Sequence, residues 1–170
     1  YYTGSTTDLT RFRQVQMDIH RLKNFDSLTK LYNKDYFEFM VTSFLESESS
    51  DRRMHSMILV NIDNFRLINE ARGFEFGSEV LAVFSRKLME LAGEKDIVAR
   101  LGNDEFAVFR TGLESYEQLY RFIVEFSREI NNYHRVSGEE MFVSVTMGIS
   151  VYPSDGESCQ EILKNATSAL

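Results

Sequence analysis

Apolar residues recur every three or four positions along six stretches of the chain, which is the spacing of amphipathic helices. The pattern is clearest over residues 116–130, whose apolar positions form one face. Helices are predicted, in chain order, over residues 8–25, 35–45, 65–68, 80–91, 116–130 and from about 158 to 170. A bend over residues 71–76, which contains Gly73, separates the third helix from the fourth, and polar residues 46–53 are expected to form a loop.

Strand character is present in three other stretches. Residues 57–63 form a short continuous apolar run that ends in polar groups, which is typical of a strand buried on both faces. Residues 98–109 consist of two apolar runs around a polar centre, and this pattern predicts a β-hairpin. Residues 141–151 are rich in β-branched side chains and predict a long strand, which Pro153 ends. Together the elements predict an α+β fold with a central sheet of about five strands flanked by helices.

The first predicted helix has a narrow apolar stripe. After Asp8, which is a suitable N-cap residue, apolar positions recur at three- and four-residue steps. These positions are Leu9, Phe12, Val15, Ile19 and Leu22. Two interpretations remain open: the helix packs on its own domain, or it is the end of a linker helix that pairs with a second copy and carries a signal from an upstream sensor. Residues 1–25 are therefore interpreted as a linker or signalling helix before the domain proper.

The polar centre of the predicted hairpin carries two adjacent carboxylates. Asp104 and Glu105 follow Gly102 and Asn103, which both tolerate the backbone angles of a tight turn. Such a turn holds the carboxylates in fixed directions, and the strand end at residue 63 is expected to lie beside it. Mg²⁺ in proteins takes one or two carboxylates and leaves its other positions to water and phosphate. The pattern indicates either a site for a cation that carries a triphosphate or an ordinary solvated hairpin tip.

Composition restricts the class of protein. The chain has 170 residues, 43% of them hydrophobic and 26% charged, which fits one globular domain. Its net charge of −7 predicts no nucleic-acid binding and no membrane contact by this segment. Cys159 is the only cysteine, so we expect a reducing, cytoplasmic location and a packing role for its thiol. No apolar run approaches the ~20 residues that span a bilayer, and the first residue, Tyr1, indicates a piece of a longer protein.

Four ordered blocks of the sequence resemble one family. Residues 100–106, Arg-Leu-Gly-Asn-Asp-Glu-Phe, resemble the signature of GGDEF domains, the diguanylate cyclase family, with Asn103 where the second glycine usually stands. The other blocks are residues 26–34, residues 61–69 with Gly73 and Gly77 beyond them, and residues 145–150. Four blocks in order are far more specific than one pentapeptide. The resemblance covers residues 26–170 and implies the palm-like fold of nucleotide cyclases.

The resemblance also implies a chemistry. In the family, two domains face each other and join two GTP molecules into cyclic di-GMP, and catalysis rests on Mg²⁺, positioning and charge neutralisation. The implied partners are therefore GTP and a second GGDEF domain, and the implied catalytic carboxylates are Asp104 and Glu105. The implied metal-binding positions are Asn61, Ile62, Asp63 and Asp104, and the implied substrate-binding positions are Arg66, Asn69, Ser78, Gly102 and Asn103.

Three of these positions depart from the family pattern. Asn61 places a neutral amide where the family has a carboxylate ligand, which lowers the expected affinity for Mg²⁺. Asp63, two residues later, either compensates in part for the missing carboxylate or is a group at the surface. Ser78 stands where the family uses an aspartate to read guanine, although a serine here also suits a helix start. Asn103 adds a side chain where the family's glycine allows close approach to the ligand.

Other positions concern phosphate binding and feedback. Arg66 stands where the family has a lysine near the phosphates. The family's inhibitory Arg-x-x-Asp motif corresponds to residues 93–96, where Asp96 is present and the arginine is absent, so product inhibition of the usual kind is not expected. Residues 165–167 replace the family's Arg-Ala-Asp, and the cations of the usual C-terminal tail are expected beyond Leu170.

These departures lead to two main functional hypotheses. The first is a GGDEF domain with impaired catalysis that acts as a regulatory or GTP-binding module, next to a sensor or phosphodiesterase domain of a longer chain. The second is an active diguanylate cyclase in which Asp63 takes over from Asn61 as a metal ligand. A third interpretation, a module that only binds GTP or a protein partner, is separated from the first by a titration with GTP and Mg²⁺.

Overall fold

The computed structural model describes residues 5–47 and 53–170, and within them the chain forms six helices and six strands. In chain order these are α1 (Ser5–Asn24), α2 (Lys34–Ser47), β1 (Met54–Ile62), α3 (Phe65–Arg72), α4 (Phe74–Leu91), β2 (Ile97–Gly102), β3 (Glu105–Leu113), α5 (Tyr116–Ile130), β4 (Asn132–Val136), β5 (Glu139–Val143), β6 (Val145–Tyr152) and α6 (Cys159–Ala169). Residues 1–4 of the predicted linker and 48–52 of the predicted loop lie outside the described residues. None of the described helices has the length and apolar character of a membrane span.

The central sheet is antiparallel and has four strands in the order β2-β3-β1-β6. β1 is an inner strand, and its Leu59 lies between Ala107 of β3 and Gly148 of β6. Four consecutive residues of β1 have no exposed surface: Met57, Ile58, Leu59 and Val60. This burial confirms the strand that the continuous apolar run predicted.

Helices cover both faces of the sheet. One face packs against α4 and α5, in a core that includes Ile58, Val60, Phe84, Leu88, Phe106 and Phe126. The other face packs against α2 and α6, in a core that includes Phe37, Val41, Met57, Leu59, Phe109 and Ile162. Successive residues of β1 alternate between the two cores because side chains along a strand point to opposite faces. The molecule is therefore an α+β domain of three layers, and the predicted sheet flanked by helices is confirmed.

The long strand predicted over residues 141–151 is wrong in one respect, because the structure has two strands there. β5 ends at Val143 and pairs with β4 in a separate sheet, whereas β6 begins at Val145 and joins the central sheet. The backbone changes partners at Ser144, whose carbonyl accepts a hydrogen bond from the amide of Asp63. β4 is short and largely polar, so the apolar pattern did not predict it. The central sheet therefore has four strands rather than about five.

The break between α3 and α4 is shorter than the predicted bend. α3 continues to Arg72 and α4 begins at Phe74, so Gly73 alone separates the two helices. Gly73 has a φ of 88°, which glycine adopts without a steric penalty. Consequently Ser78 lies inside α4, and the helix-start role considered for this serine is wrong.

The apolar stripe of α1 is exposed to solvent. Its five residues are between 49% and 75% exposed, namely Leu9, Phe12, Val15, Ile19 and Leu22. The end of α1 is attached to the domain by the side-chain amide of Asn33, which donates to the carbonyl of Lys23 over 2.7 Å. The stripe is therefore not buried against the described part of this chain, which argues against the first of its two interpretations.

Cys159 lies in the first turn of α6, after Ser158, whose hydroxyl accepts a hydrogen bond from the amide of Glu161. Its side chain is 2% exposed. Burial raises the pKa of the thiol to about 11 and outweighs a hydrogen bond with Thr42 that lowers it. Such a thiol stays protonated at neutral pH, which confirms the predicted packing role.

Candidate functional site

The hairpin between β2 and β3 lies beside the end of β1. The amide of Ile62 donates a hydrogen bond to the carbonyl of Asp104 over 3.1 Å, and Asn61 lies opposite Glu105 in the strand register. Asn103 at the tip has a φ of 43°, a left-handed conformation that asparagine adopts more readily than most residues. The predicted meeting of strand end and hairpin is confirmed, and it brings an amide and two carboxylates to one edge of the sheet.

Arg100 joins the hairpin to the first sequence block. Its Nη1 lies 3.1 and 3.2 Å from the two carboxylate oxygens of Asp26, and its Nε and Nη2 donate to the carbonyl of Asn103 over 3.0 and 2.7 Å. The side chains of Arg100 and Asp26 are 14% and 23% exposed, so solvent screens this pair only in part. Charge-assisted hydrogen bonds of this kind fix the position of the hairpin tip.

Asp26 also organises the turn that follows it. The amide and hydroxyl of Thr29 each donate to its Oδ1 over 2.8 Å. Burial by itself would raise the pKa of Asp26, but the hydrogen bonds from Thr29 and Arg100 outweigh burial and hold the pKa below its ordinary value. The pairing of Asp26 with Arg100 was not predicted, because its only signal in the sequence is the opposite charge of two residues in distant motifs.

A cleft of about 440 Å³ opens between the hairpin and the helices α3 and α4. It is lined by Leu28, Phe65, Arg66, Asn69, Phe74, Ser78, Leu81, Arg100, Asn103 and Asp104. Asn69 and Ser78 are half-buried, and neither side chain has a hydrogen-bond partner in the part of the chain that the structure describes. Four of the five implied substrate-binding positions line this cleft, and their polar groups are available to a ligand.

Four apolar residues that line this cleft were not among the predicted site residues, namely Leu28, Phe65, Phe74 and Leu81, and two of them are exposed. Phe74, the first residue of α4, is 81% exposed, and Leu28 of the first sequence block is 37% exposed. The signal for Phe74 is an aromatic side chain that directly follows Gly73 and lies off the apolar face of α4. For Leu28, the only indication of a site role in the sequence was its position in the first family block, residues 26–34.

Asn69 packs against α4 at Gly77. A side-chain carbon at residue 77 would lie 1.8 Å from Oδ1 of Asn69 and 3.3 Å from Cζ of Phe65. The absence of a side chain at Gly77 therefore allows the Asn69 amide to lie against α4 at the edge of the cleft. Gly77, which the resemblance gave no chemical role, positions a residue of the site.

A second, more open cleft of about 490 Å³ lies at the end of β1. It is lined by Asn61, Ile62, Asp63, Asn64, Phe65, Arg66, Asp104 and Thr146. Phe65, Arg66 and Asp104 line both clefts, so the two are continuous. All four implied metal-binding positions lie in the second cleft, where Oδ1 of Asp63 accepts a hydrogen bond from the hydroxyl of Thr146 over 2.7 Å.

The side chains of the second cleft suit a cation that is also bound by water and phosphate oxygens. Asp63 and Asp104 supply carboxylates, and Asn61 supplies a neutral amide oxygen. Over residues 5–47 and 53–170, no three His, Cys, Asp or Glu side chains are grouped so that they could hold a metal ion. Mg²⁺ often takes one or two carboxylates and completes its shell with water and substrate phosphates. The residues therefore fit a Mg²⁺ shared with a triphosphate and do not fit a resident cation.

Three implied site residues lie at the margin of the clefts. The side chain of Arg66 is 87% exposed, and its Nε lies 3.0 Å from a carboxylate oxygen of Glu70. An exposed pair of this kind is weak, so the guanidinium is free to turn toward an anion. Glu105 and Gly102 pair across the hairpin and lie outside the lining of both clefts. The structure thus brings Asp104 into the clefts but not Glu105.

Asp96, the residue left from the inhibitory motif, closes the turn before β2. Its Oδ2 accepts hydrogen bonds from the amide of Gly93 over 2.8 Å and from Nη1 of Arg110 over 2.6 Å, and its Oδ1 accepts from the amide of Thr111 over 3.2 Å. Its side chain is 3% exposed. The Asp96 carboxylate therefore has its hydrogen-bond partners within the domain and is inaccessible to a ligand.

The sequence model of the family described as "Diguanylate cyclase, GGDEF domain" matches residues 23–170. The chain belongs to the GGDEF domain family. Among curated relatives of this GGDEF domain, the diguanylate cyclase TpbB of Pseudomonas aeruginosa (strain UCBPP-PA14) is 32% identical over 146 residues, which are 85% of this chain and 34% of TpbB. The cyclic di-GMP phosphodiesterase NbdA of P. aeruginosa PAO1 is 26% identical over 95% of this chain and 21% of NbdA. The chain thus spans about a fifth to a third of these relatives.

Solved structures agree with the fold of this GGDEF domain. A structure that comprises only the GGDEF domain of TpbB from P. aeruginosa PAO1 has a TM-score of 0.80 and 31% identity, and the match covers 85% of each chain. The coiled coil and GGDEF domain of DgcB from Caulobacter crescentus has a TM-score of 0.81 over 97% of this chain and 87% of that one, and its 20% identity shows the fold alone. The α+β, palm-like cyclase fold and the family resemblance are confirmed, and GGDEF domains of this kind occur in cyclic di-GMP signalling proteins.

Proposed function

We propose that this GGDEF domain binds GTP together with Mg²⁺ in the two continuous clefts and acts as a regulatory module with little or no cyclase activity. The main support for this proposal is that the first cleft suits a nucleotide base, whereas the second has few groups that bind Mg²⁺ strongly. The first cleft presents the unpaired polar groups of Asn69 and Ser78 between apolar walls, which suits a nucleotide base. The lining of the second cleft, within the described residues, has two carboxylates, Asp63 and Asp104, beside the neutral amide of Asn61.

The low charge of the second cleft supports impaired catalysis. Arg66 adds a positive charge at the rim of this cleft, and Asp63 already accepts a hydrogen bond from Thr146. Mg²⁺ prefers carboxylate oxygens to amide oxygens, so Asn61 is a poor replacement for an anionic ligand. The groups that would hold the cation are Asp104, Asp63 and the Asn61 amide, and the bound cation would neutralise phosphate charge. Perturbing the surroundings of a metal site typically costs about 10- to 100-fold in metal affinity or activity.

The exposed stripe of α1 supports a regulatory role. Phe12, Val15, Ile19 and Leu22 alternate at the three- and four-residue steps of a coiled-coil seam, and all four lie in solvent. In this proposal α1 pairs with α1 of a second copy or docks on a sensor or phosphodiesterase domain of a longer chain, in the cytoplasm. Residues 1–25 act as the linker, and Asp26 connects the linker to Arg100 at the start of the hairpin.

The alternative is an active diguanylate cyclase that condenses two GTP molecules. Its support is the presence of Asp63 and Asp104 in one cleft, since only Oδ1 of Asp63 is engaged by Thr146. In this alternative Asp63 replaces Asn61 as the second metal ligand. Activity would then be lost in Asp63→Asn as completely as in Asp104→Asn.

Two measurements on one preparation of the chain test the proposal. Calorimetric titration with GTP and Mg²⁺ is expected to show saturable binding, and chromatography of a long incubation is expected to show little or no cyclic di-GMP. Asn69→Ala is expected to weaken binding by about tenfold, because it removes a hydrogen-bonding group of the cleft. Glu117→Gln, on the exposed surface of α5 and outside both clefts, is the matched control that leaves binding unchanged.

The outcomes separate the three functional hypotheses. If cyclic di-GMP forms at a rate typical of active family members, the hypothesis of impaired catalysis is wrong and the hypothesis of an active diguanylate cyclase is favoured. Absence of any heat with GTP and Mg²⁺ overturns nucleotide binding and leaves a purely structural role. Binding without turnover supports the proposed module.

A further inference from the structure

The two uncharged polar side chains that α3 and α4 contribute to the first cleft, those of Asn69 and Ser78, are of one chemical kind. The amide of Asn69 both donates and accepts hydrogen bonds, and so does the hydroxyl of Ser78. Both side chains are half-buried, and both lack a partner in the described part of the chain. A ligand edge placed here therefore meets groups whose polarity adapts to it.

No carboxylate accompanies these two groups on α3 or α4 within the described lining, and the charged lining residue there, Arg66, pairs with Glu70. The charged lining residues are Arg66 on the rim between the clefts, Asp104 at the hairpin, and Arg100. The guanidinium of Arg100 is already held by Asp26 and Asn103. The remaining lining residues, apart from Asn103, are apolar: Leu28, Phe65, Phe74 and Leu81.

Discrimination between two purines requires a group of fixed polarity. Guanine presents an acceptor at O6 and donors at N1 and N2, whereas adenine presents a donor at N6 and an acceptor at N1. A carboxylate only accepts, so it pairs with the guanine donors and opposes the adenine N1 acceptor. The Ser78 hydroxyl rotates to donate or to accept, and the Asn69 amide offers a donor and an acceptor of nearly equal shape. Neither group rejects one purine in favour of the other.

The apolar residues that line the cleft favour large flat rings, whatever hydrogen-bonding groups the rings carry at their edges. Phe74 is 81% exposed beside the cleft and offers an aromatic face on which any base can stack. A two-ring purine buries more apolar surface against such walls than a one-ring pyrimidine does. The geometry points to a purine-tolerant nucleotide site, which binds adenosine and guanosine triphosphates with similar affinity and binds pyrimidine triphosphates more weakly. This inference rests on the proposed function, because it assumes that the cleft binds a nucleotide base.

Titrations of the chain with GTP, ATP and CTP, each with Mg²⁺, test the inference. The Kd values for GTP and ATP are expected to agree within about tenfold, and the Kd for CTP is expected to be at least about tenfold larger. GTP binding more than about 100-fold tighter than ATP, or CTP binding as tightly as the purines, overturns the inference and leaves the proposed function intact. Failure of all three nucleotides to bind overturns the proposed function and the inference together.

Ser78→Asp and Ser78→Ala form a matched pair of variants for the same titrations. Ser78→Asp introduces a group that only accepts, so the ratio of ATP to GTP Kd values is expected to rise at least about tenfold. Ser78→Ala introduces no fixed polarity, so this ratio is expected to stay within about threefold of its original value. Because Ser78 is half-buried on a helix, circular dichroism checks that both variants keep the fold. An unchanged ratio in Ser78→Asp overturns the assignment of selectivity to residue 78.

Discussion

Arg100 donates two hydrogen bonds to the carboxylate of Asp26, which lies 74 positions earlier in the chain, and two more to the carbonyl of Asn103. One guanidinium thus connects the start of the domain to the tip of the hairpin that presents Asp104. α1 ends at Asn24, two residues before Asp26. The Arg100 side chain is therefore one of the links between the segment after α1 and the hairpin, beside the hydrogen bond from the Arg100 amide to the carbonyl of Tyr32.

Replacement of Asp26 by asparagine tests this connection. Asp26→Asn keeps the shape of the side chain but removes its charge, and it is expected to lower the free energy of unfolding at pH 7 by about 1–2 kcal/mol. The hydrogen bonds to Asp26 hold its pKa in the folded protein below the unfolded value of about 3.9. The carboxylate therefore stabilises the fold above that pH, and its contribution is lost as the pH falls through the lower, folded-state pKa.

Urea unfolding of Asp26→Asn and the original chain at pH 7 and near pH 3 measures this dependence. The difference between the two proteins is expected to shrink at the lower pH. Glu117→Gln is the control, since Glu117 and Arg121 form an exposed pair on α5 and their separation is expected to cost less than about 0.5 kcal/mol at either pH. A difference that is equal at both pH values would show that the charge of Asp26 is not the cause.

A side chain at Gly77 tests how Asn69 is positioned. The methyl group of Gly77→Ala would overlap the Asn69 amide, which can move away because it is the end of a flexible side chain. Nucleotide affinity is therefore expected to fall by about tenfold, as in Asn69→Ala, while the free energy of unfolding changes by less than about 1 kcal/mol. The Gly77→Ala, Asn69→Ala double variant is expected to bind no worse than Asn69→Ala. A further loss of affinity in the double variant would show that Gly77 acts by another route.

The same substitution at Gly148 is expected to act on stability. A side-chain carbon there would lie 2.1 Å from the carbonyl oxygen of Ala166 in α6 and 2.8 Å from the amide nitrogen of Leu170, which follows α6. These are backbone atoms, which cannot move away as the end of a flexible side chain can. Gly148→Ala is therefore expected to lower the free energy of unfolding by about 1–3 kcal/mol, as overpacking does. Gly77→Ala is the matched control for urea unfolding. Equal effects of the two substitutions would contradict the close packing of α6 on β6.

The parts of this domain that the sequence predicts are those with a local pattern. The apolar run of β1 and the hairpin at Gly102 are visible in a few consecutive residues, and the family blocks place Asn69 and Asp104 in one cleft. β4 was missed because its pairing with β5, and not its composition, makes it a strand. Phe74 was missed because an exposed aromatic residue has meaning only beside a cleft. The contact of Arg100 with Asp26 was missed because tertiary structure alone brings the two together.

Asn61→Asp tests whether charge is what the second cleft lacks. Asn61 lies opposite Glu105 across the sheet and shares its cleft with Asp104, so a new carboxylate brings like charges together. Without Mg²⁺ the variant is expected to lose about 0.2–1 kcal/mol of unfolding free energy, and Mg²⁺ with GTP is expected to restore it. GTP affinity at a fixed Mg²⁺ concentration is expected to rise at least about tenfold in calorimetry. Asn61→Ala is the control: because it adds no charge, it is expected to show neither the Mg²⁺-dependent change in stability nor the rise in GTP affinity. An Asn61→Asp variant whose stability and GTP affinity do not depend on Mg²⁺ would refute the role assigned to this position.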